Sequence, residues 1–151
     1  EEDLAPAFLS ARIRAYGQGL ALLAAASDEF GWKLDLARVA EIWRAGCIIR
    51  SALLDDISGA VRDGLPHCAL HLSPAFAIRL AAGATSLRTL VAQAALAGQP
   101  VPGFSAALGY FETMRKGRGT TDLIQAQRDF FGAHGFERVD APGAHHGPWH
   151  R

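Results

Sequence analysis

Phe8-Leu9-Ser10-Ala11-Arg12-Ile13-Arg14-Ala15-Tyr16-Gly17-Gln18-Gly19-Leu20-Ala21-Leu22-Leu23-Ala24-Ala25-Ala26 is the stretch that decides the fold class. Phe8, Ile13, Tyr16, Leu20 and Leu23 recur at helical spacing, which predicts a long helix with one apolar face. Ala and Gly fill the positions between them, so neighbouring helices can approach closely. Pro6 suits an early helical position, because its missing N–H has no intrahelical partner to lose there. Phe30-Gly31-Trp32 ends the helix. Asp35 is the expected N-cap of a second helix carrying Val39, Ile42 and Trp43. Gly46 marks a break or tight crossing before Cys47-Ile48-Ile49-Arg50.

The pattern stays helical further along. Asp63-Gly64-Leu65-Pro66 is a turn signal. Ser73-Pro74 reads as an N-cap followed by Pro at the first helical position. One helix is then expected to about Ala97, with Phe76, Leu80, Leu87, Leu90 and Val91 in the core. Gly98 stops it, reinforced by Pro100 and Pro102. A shorter helix spans Phe104 to about Arg115, and Lys116-Gly117-Arg118-Gly119 is a loop. Asp122 with Gln125 three residues on resembles a capping box for the last helix, which ends near Gly132. Ala141 to Arg151, rich in Pro, Gly and His, has no periodicity and is expected to be disordered or docked on something else. The class expected is all-α, multihelical, with an irregular C-terminal tail. No internal repeat is visible at solenoid periods.

Composition narrows the function. The 151 residues are half hydrophobic, enough for a real core in one domain. Lys+Arg 15 balance Asp+Glu 15, so nothing draws the chain to nucleic acid or to an acidic membrane. No apolar run approaches the roughly 20 residues of a bilayer span. Cys47 and Cys68 lack close-paired zinc spacing and read as buried free thiols in a reducing cytosol. The chain opens on Glu-Glu-Asp, without Met or a signal-peptide pattern, as an excised piece would.

Chemistry concentrates in Leu123-Ile124-Gln125-Ala126-Gln127-Arg128-Asp129-Phe130-Phe131-Gly132-Ala133-His134. Helical ion-pair partners lie three or four residues away. For Arg128 these are Ile124, Gln125, Phe131 and Gly132, none of them acidic. Asp129 points elsewhere around the helix. Arg128 is therefore either available to an external anion, for which its planar donors suit phosphate, or a solvated or tertiary-paired arginine. His134 is not on Arg128's face if the helix continues. A break at Gly132 would bring the two side chains toward one ligand. There His134 would hydrogen-bond a sugar hydroxyl; the alternative is that it caps the helix. The helix C-terminus is the negative end of its dipole, so Arg128 itself must supply any attraction for phosphate.

Other features carry less. Arg44 has Glu41 one turn back as a surface partner, and Arg50 is structural or interfacial. His145, His146 and His150 lack a nearby cysteine or carboxylate set and read as a metal-free tail. Gly17-Gln18-Gly19 has Leu22 where a dinucleotide loop needs its third Gly, and no strand precedes it.

Several blocks, in order, resemble the 6-phosphogluconate dehydrogenase family. They are Tyr16-Gly17-Gln18-Gly19 with Glu29-Phe30-Gly31-Trp32, then Ile42-Trp43-Arg44-Ala45-Gly46-Cys47-Ile48-Ile49-Arg50-Ser51. Pro100-Val101-Pro102 with Phe104-Ser105-Ala106-Ala107-Leu108 follows, then the segment around Arg128, and finally Pro142-Gly143 and Trp149. The resemblance implies that residues 1–139 are the second half of an all-helical substrate and dimerisation domain, and 140–151 a C-terminal tail. It implies that Arg128 binds the substrate phosphate and that His134 contacts the substrate, 6-phosphogluconate. It implies a cytoplasmic homodimer in which the tail reaches the partner subunit's active site. NADP or NAD would be bound mainly by an upstream Rossmann domain, and no metal is implied. The general-base lysine and acid glutamate of the family also lie upstream of Glu1, so no catalytic residue falls within this chain. The whole enzyme would oxidise 6-phosphogluconate at C3, decarboxylate it and release ribulose 5-phosphate. The competing expectation is a non-catalytic helical dimerisation module from a truncated gene. Two departures stand out: Thr120-Thr121-Asp122 replaces part of the family's Leu-Pro-Ala-Asn, and Phe130 replaces a Tyr.

Overall fold

A computed structural model describes residues 2–149. Among the described residues there are seven α-helices: α1 Leu4–Phe30, α2 Leu36–Trp43, α3 Leu53–Arg62, α4 Pro74–Ala82, α5 Ala84–Leu96, α6 Pro102–Met114 and α7 Thr121–Gly132. Short 3-10 turns at Pro66–Cys68 and Leu70–Leu72 lead into α4. Two two-residue strands, β1 Phe136–Glu137 and β2 Ala144–His145, pair antiparallel with Phe136 opposite His145. The chain divides into two compact units, residues 1–111 and 112–151.

In the first unit α1 is the central element, as its apolar spacing requires. Ile13 and Leu20 are fully buried against Leu36 and Ala40 of α2, Leu53, Leu54 and Ile57 of α3, Leu70, and Phe76 and Leu80 of α4. A second cluster joins Ala7 and Ala11 of α1 to Leu87 of α5 and Ala107 of α6. Its small side chains let the helices approach, as the Ala-rich sequence suggested. Phe8, read from its spacing as part of the α1 core face, is half exposed instead and tilts against Phe104 with ring centroids 6.3 Å apart. Arg14 is buried, its guanidinium 4.1 Å from the Phe111 ring centroid and donating to Ser10.

The helix boundaries follow local chemistry. Gly31 takes the left-handed conformation (φ 64°) that ends α1. Asp35 caps α2, its Oδ1 accepting from Arg38 N–H at 3.0 Å. Gly46 (φ 74°) breaks the chain after α2, and Ser73-Pro74 opens α4.

Two expectations need correction. The single helix expected from Ser73 to Ala97 is two, α4 and α5, bent by 41°. The bend sits at Gly83, where an added Cβ would lie 2.6 Å from Pro6 O and 2.7 Å from Ser10 Cβ. Close passage of α1 makes the break; no stop signal in the sequence does. Arg44 pairs with Asp55 of α3 at 2.6 Å rather than with Glu41. Glu41 is instead taken by Arg38, Arg62 and Ser58. Their hydrogen bonds, with Arg38 contributing most, hold its carboxyl below the usual range against the opposing effect of burial. Helix α3, unassigned in the sequence, completes this α2–α3 pair. Cys47 and Cys68 are free and half-buried, and burial pushes the Cys68 thiol up.

No single helix among the described residues is long and apolar enough to cross a membrane; the α4–α5 pair reaches that composition only as a bent segment. Gly17-Gln18-Gly19 lies inside α1, so it forms no phosphate-binding turn.

Candidate functional site

The second unit is built on α7. Its start differs from the expected capping box: Thr120 precedes the helix without a side-chain cap, and Asp122 lies in the first turn. Asp122 binds Arg118 Nη2 at 2.7 Å, while Gln125 accepts from Arg128 Nη1 at 3.3 Å. Each side chain has a better partner than the helix N-terminus offers.

At its other end α7 stops after Gly132, as expected, but the left-handed residue is Ala133 (φ 50°, ψ 37°). Its N–H donates to Asp129 O at 2.8 Å. This turn carries His134 off the helical path, so that His134 and Arg128 line one shallow cleft of about 410 Å³ with Ile124, Gln127, Phe131 and Gly132. Gly132 makes room for the histidine: a Cβ there would meet His134 Cδ2 at 3.3 Å. Arg128 and His134 are both exposed. Among the described residues Arg128 has no carboxylate within ion-pairing distance, its one hydrogen-bond partner being the neutral Gln125. An arginine so placed keeps its charge and most of its donors for a ligand.

Asp129, the neighbour of Arg128, is fully buried. Oδ1 accepts from Gly135 N–H at 2.8 Å and from His146 Nδ1 at 2.6 Å. Oδ2 accepts from Gly147 N–H at 2.8 Å and Trp149 Nε1–H at 2.9 Å. Burial alone would raise this carboxyl; the donors at Gly147, His146, Gly135 and Trp149 outweigh it and hold the group well below the usual carboxylate range. Because an ionised carboxylate only accepts, His146 Nδ1 is the donor in this contact.

Of the two outcomes expected for the tail, disorder or docking, the described residues show docking, with their side chains still largely exposed. Up to Trp149 the tail folds back on α7, through the β1–β2 pair and these donors, with Trp149 edge-on to Phe130 at 6.3 Å. Gly147 permits this, since a Cβ there would overlap the Trp149 indole. His150 lies outside the described residues. His145 Nε2 meets Pro142 O at 3.2 Å, so it and His146 face different partners. Sequence reasoning passed over Asp129. The test applied to Arg128 would have flagged it: positions 125, 126, 132 and 133 hold Gln, Ala, Gly and Ala, and none is a cation.

The fold and this cleft define an all-helical domain that presents a cationic recess at the end of its last helix. Residues 1–149 match the family model for the 6-phosphogluconate dehydrogenase C-terminal domain. The chain is 43% identical over 148 residues to the decarboxylating 6-phosphogluconate dehydrogenase 2 of Spinacia oleracea chloroplasts, covering 98% of this chain and 28% of that protein. It is 42% identical over 149 residues to the decarboxylating enzyme of Synechococcus elongatus, covering 98% of this chain and 31% of that one. A solved structure of the Plasmodium falciparum enzyme, described in its apo form and in complex with its cofactor NADP+ and its substrate 6-phosphogluconate, superposes with a TM-score of 0.90. It is 40% identical, covering 98% of this chain and 32% of that chain. The chain belongs to the 6-phosphogluconate dehydrogenase family, spans under a third of these relatives' length, and corresponds to the family's C-terminal domain.

Proposed function

We propose that this domain supplies substrate contacts to an oxidoreductase that converts 6-phosphogluconate to ribulose 5-phosphate and carbon dioxide while reducing NADP or NAD. Arg128 binds the phosphate and His134 a substrate hydroxyl. The observation that carries the reading is their convergence on one cleft, with Arg128 held, among the described residues, by neutral Gln125 and no carboxylate. Phosphate recognition calls for an uncommitted guanidinium, and a neutral imidazole beside it can donate to or accept from a hydroxyl.

The cleft is open and offers one wall, whereas sites for small polar ligands enclose most of the ligand. That supports a homodimeric enzyme in which residues 140–151, the tail, and the end of α7 meet a partner subunit's active site; the compartment proposed for it is the cytoplasm. Residues 1–139 then act as substrate and dimerisation domain. Gly17-Gln18-Gly19, lying within the course of helix α1, forms no turn to cradle a pyrophosphate, which supports a nucleotide held mainly by another domain. The hydride acceptor is the chemistry the nucleotide supplies; this chain's part is to bind and orient the sugar phosphate.

In an enzyme containing this domain, Arg128→Ala is expected to weaken substrate binding by about 2–5 kcal/mol, the cost of leaving a bound charge without its partner. Steady-state kinetics should show a raised KM with a smaller change in kcat, because the phosphate contact is made in ground and transition states alike. An unchanged KM rules the assignment out.

A further inference from the structure

We propose that Asp129 is the positioning residue of this cleft: its main-chain carbonyl holds the backbone before His134, its carboxylate holds the backbone after it, and the same carboxylate ties that placement to the docked C-terminal arm. The inference rests on the reading of Arg128 and His134 as substrate contacts and adds a residue that cannot itself reach the ligand. Asp129 is fully buried, whereas Arg128 and His134 are exposed.

The geometry brackets His134. The residue before it, Ala133, donates its N–H to the Asp129 carbonyl, and the residue after it, Gly135, donates to Oδ1, both at 2.8 Å. The backbone on each side of the histidine is thus bound to the same residue. Ala133 has a left-handed φ of 50°, a conformation a non-glycine residue keeps only where its surroundings enforce it. The other three donors, His146, Gly147 and Trp149, come from the arm. An arm that leaves α7 takes these donors from a buried carboxylate, which must then find water. The Gly135 contact holding the turn shares that carboxylate, so docking of the arm and placement of His134 are coupled.

The chemistry also explains why the position carries a carboxylate. Among the described residues each oxygen receives at least two donors, and Asp⁻ is acceptor-only at both. Asn would turn its own NH2 toward one pair of donors. Asp129→Asn therefore disrupts the turn or the arm while barely altering side-chain volume. Trp149→Phe is a milder probe that deletes one donor and keeps a ring beside Phe130.

The test is a double-mutant cycle in an enzyme containing this domain, with 6-phosphogluconate as the varied substrate, together with amide hydrogen exchange on the 151-residue chain. Asp129→Asn is expected to raise KM and to lower kcat/KM by up to on the order of 100-fold, as a misplacement of about an ångström does. Trp149→Phe should move both in the same direction by less, and it carries the test if Asp129→Asn does not fold. Adding Asp129→Asn to His134→Ala should cost nothing further, because the histidine it positions is gone. With Arg128→Ala the losses should multiply. Gly135 and Gly147 amide protection should fall in Asp129→Asn. Independent losses for Asp129→Asn and His134→Ala, or a normal KM in Asp129→Asn beside a raised one in His134→Ala, overturn the inference alone. A normal KM in His134→Ala overturns the substrate reading itself and this inference with it, whatever Gly135 exchange shows.

Discussion

At Gly132 a missing methyl group decides where a histidine can lie. A Cβ would come within 3.3 Å of His134 Cδ2, closer than the ring can accept without shifting. Gly is also a poor helix residue, by roughly 0.5–1 kcal/mol relative to Ala. Gly132→Ala is therefore expected to leave thermal stability unchanged or slightly raised, while KM for 6-phosphogluconate rises. A melting curve and a KM moving together downward would mean that the glycine serves folding and not the cleft. Asp129 gives a second residue-level expectation, in pH. Its folded-state pKa is depressed, so its contribution to docking the arm is complete above the usual carboxylate range and is lost as pH falls through the depressed value. The arm should stay docked through mild acid, and the Trp149 indole N–H signal should keep its folded position below about pH 4, where ordinary carboxylates protonate. Release above that pH would contradict the geometry. Asp140 makes a useful contrast. Arg138 holds it down to about 2, yet both groups are exposed, so water and salt screen the pair and its removal should barely matter.

Among the elements, the α4–α5 break shows where a sequence stops being legible. Phe76, Leu80 and Leu87 keep helical spacing across Gly83, so local pattern supports one helix; only the passage of α1 at Pro6 and Ser10 forces two. Gly83→Ala is expected to destabilise by about 1–3 kcal/mol through overpacking against backbone that cannot yield. Gly59→Ala in α3, where nothing lies within 4 Å of the new Cβ, should stabilise by roughly 0.5–1 kcal/mol. Chemical denaturation of the two variants reads the difference, and equal signs would refute the close approach. Helix α1, the Asp35 cap and the Gly31 stop were legible because each is written within a few residues. The α2–α3 pairing through Asp55 and the arm's return to Asp129 join residues 11 to 20 positions apart, which periodicity does not register. For the proposed site, the residues alone left Arg128 open between a ligand and a solvated or tertiary-paired arginine, and only the family resemblance named a ligand. The turn that delivers His134 depends on a left-handed alanine, a residue type that announces no such turn.

Across the whole molecule the informative quantity is apolar surface left in water. Ile48 and Leu96 in the first unit are 99% and 91% exposed, and Phe131 in the second is 80% exposed. Scattered apolar residues are ordinary, but side chains this large and this open, in both units, favour contact with another surface. The balance of 15 basic and 15 acidic residues removes the net-charge repulsion that would otherwise keep copies apart. The chain is therefore expected to self-associate reversibly, in keeping with the proposed role in a homodimer. Sedimentation velocity over a series of micromolar concentrations should show a weight-average mass that climbs above the monomer. Ile48→Glu and Leu96→Glu, each adding a charge that an apolar contact must desolvate, should lower it where those residues are covered. Neither position lines the cleft that Arg128 and His134 share, so their effect on substrate KM at saturating subunit concentration should be small. A chain that stays monomeric across that range, with variants indistinguishable from it, would mean that these side chains are covered only by chain outside the matched domain, and the dimerisation role would have to be sought there.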